Sequence, residues 1–201
     1  GGKSDALLIS ALQFADVPGY GALLLRKTFQ ELSLKGGLLE RAHEWLAGSG
    51  ARWAKDTWTW VFPSGAKLTF GYLESSKDRY RYKSSEFQMV GFDELTGFRE
   101  EDYRYLFSRM RRLAGSEVPI RMRSATNPGD EGHTWVKKRF VQRGYASLDR
   151  KARNARVWWV EGRLFVPAVL EDTAALDRES YVASLAEVTE HERRRLLEGD
   201  W

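Results

Sequence analysis

Two stretches of this chain carry side chains whose types and spacing suit work on phosphate esters. The first is Gly1-Gly2-Lys3-Ser4. It reads as the closing half of the phosphate-binding pattern G-x-x-x-x-G-K-[ST]. Gly1 and Gly2 let backbone N–H groups approach a phosphate, Lys3 supplies a point charge between phosphates, and the Ser4 hydroxyl suits Mg²⁺. Asp5 to Phe14 then reads as a helix whose N-terminus faces the anion. The second stretch is Phe87-Gln88-Met89-Val90-Gly91-Phe92-Asp93-Glu94, an apolar run that ends in two carboxylates. Such a run predicts a strand buried on both faces of a parallel sheet. Ligands collect at the carboxyl ends of strands in open α/β sheets. Asp93 and Glu94 are therefore expected at the lip of a cleft, one carboxylate for a metal ion and one for an attacking water.

These groups need a frame, and the rest of the chain reads as one. Ala22–Arg26 is a short apolar strand after the turn residues Pro18 to Gly21. Phe29 to Leu46 has helical periodicity, interrupted at Gly36-Gly37, which predicts two helical pieces. His43 falls there and is read as packed or solvated. Thr57–Phe62 and Ala66–Tyr72, joined by Pro63-Ser64-Gly65, predict a hairpin with Trp58, Trp60 and Phe62 on one face and Leu68, Phe70 and Tyr72 on one face. Asp78–Lys83 reads as a polar, basic connection. A helix is expected from about Glu100 to Arg112. The strand Pro119–Thr126 leads into an Asn127-Pro128-Gly129 turn and places Ser124, Ala125, Thr126 and Asn127 at the same edge as Asp93. His133 to Arg143 reads as a helix, 156–160 and 163–170 as strands, and 177–198 as two short amphipathic helices.

The 201 residues suffice for one sizeable α/β domain with a small appendage. With no cysteine there is no disulfide framework or cysteine-ligated zinc. No run is apolar enough to span a bilayer, and no signal peptide is visible. The net charge of +4 is unevenly spread: residues 171–201 hold nine acidic residues and four Arg, a local −5, which leaves +9 on residues 1–170. A basic body suits a polyanion. Lys137, Lys138, Arg139 and Arg143, with Arg150, Lys151, Arg153 and Arg156, form the densest basic region and would bind phosphate backbones without reading sequence.

Taken in order, Gly1–Ser4, "LLLRKTFQEL", "YRYKSSEFQMVGFDEL", "SATNPG", "HTWVKKRFV" and "LLEGDW" resemble the ATPase domain of the large terminase subunit, the DNA-packaging motor of tailed phages. The resemblance runs nearly end to end. It implies an α/β fold of the P-loop NTPase type (RecA/ASCE-like), with a mainly parallel sheet flanked by helices and a small C-terminal linker subdomain. It divides the chain into an ATPase core at 1–170 and a helical linker at 171–201. It implies ATP and Mg²⁺ as cofactors and ATP hydrolysis coupled to translocation of double-stranded DNA into a procapsid. Lys3 and Ser4 match the Walker A end, Asp93 the Walker B aspartate, Glu94 the carboxylate that activates water, and Ser124-Ala125-Thr126 the coupling motif.

The same resemblance implies an arginine acting in trans in the stretch that holds Arg79 and Arg81, with Arg109, Arg111 and Arg112 in reserve. The implied partners are double-stranded DNA, the portal protein, the small terminase subunit and further copies of the chain in a ring, the piece alone being a monomer. The implied place is the host cytoplasm, docked on the procapsid portal, with no membrane contact. The family's nuclease domain and the first Walker A residues are expected outside this stretch, so no nuclease activity is expected of it. Two other readings share some of these residues: a helicase-type P-loop ATPase, and a DNA-binding P-loop module without catalysis, for which Glu94 would have no use.

Overall fold

The structure, a computed structural model, describes residues 2–142, 158–160, 163–168 and 177–201. These fall into two compact units, Gly2–Thr126 and Asn127–Trp201. The first unit is built on a six-stranded sheet. In chain order its elements are helix α1 (Lys3–Leu12), strand β1 (Gly21–Arg26), helices α2 (Phe29–Ser33) and α3 (Leu38–Leu46), and strands β2 (Arg52–Ala54), β3 (Thr59–Val61), β4 (Lys67–Tyr72) and β5 (Met89–Asp93). Helix α4 (Glu100–Phe107) and strand β6 (Arg121–Ala125) complete it. The strand order is β2-β3-β4-β1-β5-β6. β4, β1, β5 and β6 run parallel, and β2 and β3 are antiparallel additions at one side.

The central strands are apolar because both of their faces are covered. Leu23, Leu24, Leu25, Val90 and Phe92 are fully buried. Helix α1 lies on this sheet with Leu7 and Leu8 in the core. It comes so close that a Cβ on Gly91 would stand 3.1 Å from a Leu7 methyl, while a Leu24 methyl on the neighbouring β1 would be 2.5 Å away. The two helical pieces after β1 break at Gly36-Gly37 as expected, and α2 starts with a reciprocal cap between Thr28 and Glu31.

Three expectations change in detail. Trp58 does not alternate within the hairpin: it sits at φ 52°, just before β3, and packs on Phe29 with ring centroids 3.9 Å apart. The short strand β2 was not foreseen; its Trp53 packs on His43 and Trp60 and gives the hairpin a third strand. The helix begun at Glu100 ends at Phe107, not near Arg112, because the backbone of Arg109 and Arg111 turns away to pair with Phe87. The Asp78–Lys83 connection, polar and basic by composition, is a 3₁₀ turn (Asp78–Tyr82) that buries Asp78 and Tyr82.

That turn is seated by an unusual contact. A Cβ built on Gly71 would stand 2.0 Å from the Tyr82 hydroxyl oxygen and 3.1 Å from its Cζ, so the phenol occupies the space that any other residue on β4 would fill. Burial pushes the Tyr82 hydroxyl up to about 12, so it stays neutral. Gly71→Ala is expected to destabilise the fold by about 1–3 kcal/mol through overpacking. Tyr82→Phe in the same chain should recover most of that loss, and denaturant titration of the three proteins checks it.

In the second unit, an α-helical turn at His133–Val136 continues as a π-helix over Lys137–Gln142, where a continuous α-helix was expected. Trp158–Val160 and Arg163–Phe165 pair antiparallel. Helices Arg178–Ser184 and Glu190–Glu198 follow, each started by a side-chain cap, Asp177 and Thr189. Of the expected strands, 156–160 is strand over its described residues 158–160, and 163–170 ends at Phe165. Gly1, Arg143, Arg150, Lys151, Arg153 and Arg156 lie outside the described residues.

Candidate active site

The parallel register brings the strand ends into one row. Arg26 ends β1 opposite Tyr72 of β4, Leu25 lies opposite Phe92 of β5, and Asp93 ends β5 opposite Ala125 of β6. Helix α1 begins at Lys3, with Gly2 as a left-handed cap at φ 69°. Its first turn reaches the same row, because Ser4 Oγ donates to Asp93 Oδ1 at 2.9 Å. A hydroxyl from the first stretch and a carboxylate 89 residues later therefore share one hydrogen bond.

Asp93 is 4 % exposed. Its other oxygen, Oδ2, accepts from Arg26 Nη1 at 2.8 Å. Burial pushes the Asp93 carboxyl above its usual range, although Arg26, Ser4 and Lys3 all pull the other way. The site is thus an anionic group whose desolvation is incompletely offset, which suits a further cation. The donor set is right for Mg²⁺, a hard ion that takes a carboxylate, a hydroxyl and substrate oxygens and does not need an all-protein cage. Among the described residues there is no cluster of three His, Cys, Asp or Glu that could hold a metal without substrate.

Glu94 follows in a left-handed conformation, φ 55° and ψ 63°, and caps a 3₁₀ turn over Leu95–Gly97. A non-glycine residue held there is uncommon and is found disproportionately at functional sites. The turn behind it is fixed by Thr96, which is fully buried. Thr96 N–H donates to Thr126 Oγ1 at 3.2 Å, and the two hydroxyls lie 2.8 Å apart. Of the strand-end group on β6, Ser124 is exposed, Ala125 is buried and Thr126 is half-buried. Asn127 falls in the other compact unit.

The arginines divide between two regions. Arg81 stands over the Tyr72 ring at 4.4 Å and pairs with Asp78 at 2.9 Å, beside the end of β4. Arg79 Nη1 lies 3.4 Å from buried Asp102 and 3.5 Å from Glu101, at the start of α4. Arg109 and Arg111 flank Met110, which bridges to Phe87 at the amino end of β5, the end opposite Asp93. Lys137, Lys138 and Arg139 lie on the π-helix of the second unit, where Lys138 is exposed and the other two are half-buried.

Sequence reading assigned no task to Arg26 or Thr96. Arg26 carried a usable signal: like Asp93, it is a charged residue that ends a fully apolar strand. Thr96 carried none, since a threonine in a turn is commonplace.

A Gly-Lys-Ser helix start facing an Asp-Glu strand end, across a mainly parallel sheet, defines an α/β protein of P-loop type. Residues 23–179 match the phage terminase large subunit family, and the chain belongs to that family. Two solved structures share the fold. The large terminase of a thermophilic bacteriophage aligns with TM-score 0.66 at 12% identity, covering 99% of this chain and 44% of that one. The large terminase of bacteriophage HK97 aligns with TM-score 0.50 at 12% identity, covering 96% of this chain and 38% of that one. The chain therefore spans less than half the length of either. No curated protein matches it. Among the described residues no helix is long and apolar enough to cross a membrane.

Proposed function

We propose that this chain is the ATP-hydrolysing part of a terminase large subunit and drives double-stranded DNA into a procapsid. The observation that carries the reading is the hydrogen bond from Ser4 to buried Asp93 at the carboxyl edge of a parallel sheet. It joins the phosphate-binding helix start to a strand-end carboxylate. Proteins of the family are generally ATPases. In this reading Gly1, Gly2 and Lys3 receive the phosphates, and Ser4 and Asp93 hold Mg²⁺. When bound, the ion neutralises charge on the phosphate oxygens. Glu94 orients a water and draws its proton as the water attacks the terminal phosphorus. Ser124, Ala125, Thr126 and Asn127 form the coupling segment. The contact between Thr126 and Thr96 ties that segment to the turn that begins at Glu94.

The wider assignments belong to the same proposal: a core at 1–170 and a linker at 171–201, a ring of copies, and portal and small-subunit partners in the host cytoplasm. The full-length protein should turn over ATP, faster with duplex DNA, and Lys3→Ala should reduce turnover to background. ATP turnover unaffected by Lys3→Ala would sink the reading.

The DNA surface is assigned to Lys137, Lys138, Arg139 and Arg143. Binding of this kind depends on salt but not on sequence. Charge reversal at Lys137 and Lys138 should lower the slope of log K against log salt by about 0.9 for each phosphate that is no longer neutralised. The weakening should be equal on unrelated duplexes. An unchanged slope would remove this patch from the binding surface.

A further inference from the structure

The interaction that the family reading leaves without a task is Arg26 on Asp93. Arg26 Nη1 holds Asp93 Oδ2 at 2.8 Å while Ser4 holds Oδ1 at 2.9 Å. Both oxygens of the carboxylate proposed to serve Mg²⁺ are thus already engaged, one of them by a full positive charge. Arg26 is not firmly satisfied elsewhere. Its Nε is buried with no hydrogen-bond partner. The nearest carboxylate to that nitrogen is Glu31 Oε2 at 3.6 Å, an ion-pair distance too long for a hydrogen bond. Glu31 is itself anchored: it is the third residue of α2, and its Oε2 accepts from the Thr28 N–H at 3.3 Å.

We propose that Arg26 is a stand-in cation for the metal. It neutralises Asp93 while the site lacks a divalent ion, and it shifts towards Glu31 when the ion arrives. This rests on the proposed metal role of Ser4 and Asp93. The physics is competition. A guanidinium and a divalent ion beside one carboxylate repel each other, and in a site this buried the repulsion is weakly screened. The site resolves it only if the guanidinium has a second acceptor in reach. Glu31 is that acceptor, and the unpaired Nε already faces it. The shift would break the Arg26 bond to Asp93, complete one to Glu31, and transfer no proton. It would also pull on the start of α2 each time the metal comes and goes, so metal occupancy would be reported to an element outside the site.

The test measures Mn²⁺ binding in the presence of ADP, by electron paramagnetic resonance, on the full-length protein. Arg26→Met removes the competitor and should tighten Mn²⁺ by about tenfold or more, the scale of one charge beside a carboxylate. Arg26→Lys keeps the charge and should remain close to wild type. Glu31→Gln keeps the helix cap, since Gln serves there as well, but offers the guanidinium no carboxylate. It should weaken Mn²⁺ severalfold. Arg26→Met that leaves Mn²⁺ affinity unchanged or weaker overturns the proposal, as does Glu31→Gln with wild-type affinity. Should Arg26→Met fail to fold, Arg26→Lys and Glu31→Gln decide. Asp93→Asn separates the two layers. If it abolishes Mn²⁺ binding while the Arg26 and Glu31 variants do nothing, only the stand-in role fails. If it binds Mn²⁺ like wild type, the metal site itself is misassigned and the proposal falls with it.

Discussion

Glu94→Gln should bind ATP as the wild type does and hydrolyse it ~10²–10⁴ times more slowly, the usual contribution of a positioned acid or base. Binding and chemistry separate here because different residues carry them. In the proposed reading Lys3, the start of α1 and the Ser4–Asp93 pair hold phosphate and metal, and the amide leaves all of them in place. What it removes is the carboxylate proposed to draw a proton from water. The backbone at Glu94 sharpens the expectation. With φ at 55°, the side chain leaves the strand in a direction that an extended residue could not give it. Gln has the same length and the same backbone tolerance, so its loss of rate cannot be charged to misfolding. Single-turnover measurement gives the hydrolysis rate, and equilibrium binding of ATP gives the affinity. Hydrolysis by Glu94→Gln at the wild-type rate would mean that another group activates the water.

The second large effect is expected from Arg79 and Arg81. An arginine supplied to the transition state from a neighbouring subunit is worth ~10³–10⁵ in rate where it occurs. The two candidates are held differently. Arg79 lies against the buried carboxylate of Asp102, which Arg99 also grips at 2.7 Å, and its Nε is buried without a hydrogen-bond partner. Arg81 is half exposed at 50%, so it can leave Asp78 and the Tyr72 ring at less cost. A protein carrying Arg79→Ala and Arg81→Ala should therefore be nearly inactive under assembling conditions, and so should Glu94→Gln. Mixed, they should regain part of the activity, because some interfaces then pair an intact Glu94 with intact arginines. An assembled double variant that hydrolyses ATP like wild type would place the arginine elsewhere. Arg109, Arg111 and Arg112 would then be next to test.

What could be read from sequence was set by local rules. The apolar run before Asp93, the break at Gly36-Gly37 and the turn at Pro63 to Gly65 each announce themselves in a few adjacent residues, and each element appears where it was expected. The order of the strands along the sheet, which puts β1 between β4 and β5, depends on pairing between distant segments and left no local mark. The same limit applies to the site. Lys3, Ser4, Asp93 and Glu94 were legible as types at fixed spacing. The grip of Arg26 on Asp93 spans 67 residues and exists only because β1 and β5 are neighbours. The early end of α4 has a similar origin: its sequence remains helix-compatible past Phe107, and pairing with Phe87 overrides that preference.

The phenol of Tyr82 lies in the space above Gly71. Position 71 can gain a side chain in this geometry only if position 82 changes with it. A chain that gains a methyl group at 71 must give up the hydroxyl at 82 or move the whole turn that carries Arg79 and Arg81. Substitutions at 82 therefore reach further than their own stability cost. They change where two candidate arginines stand, so in the proposed ring drift in one glycine on an inner strand would retune how copies of this protein meet.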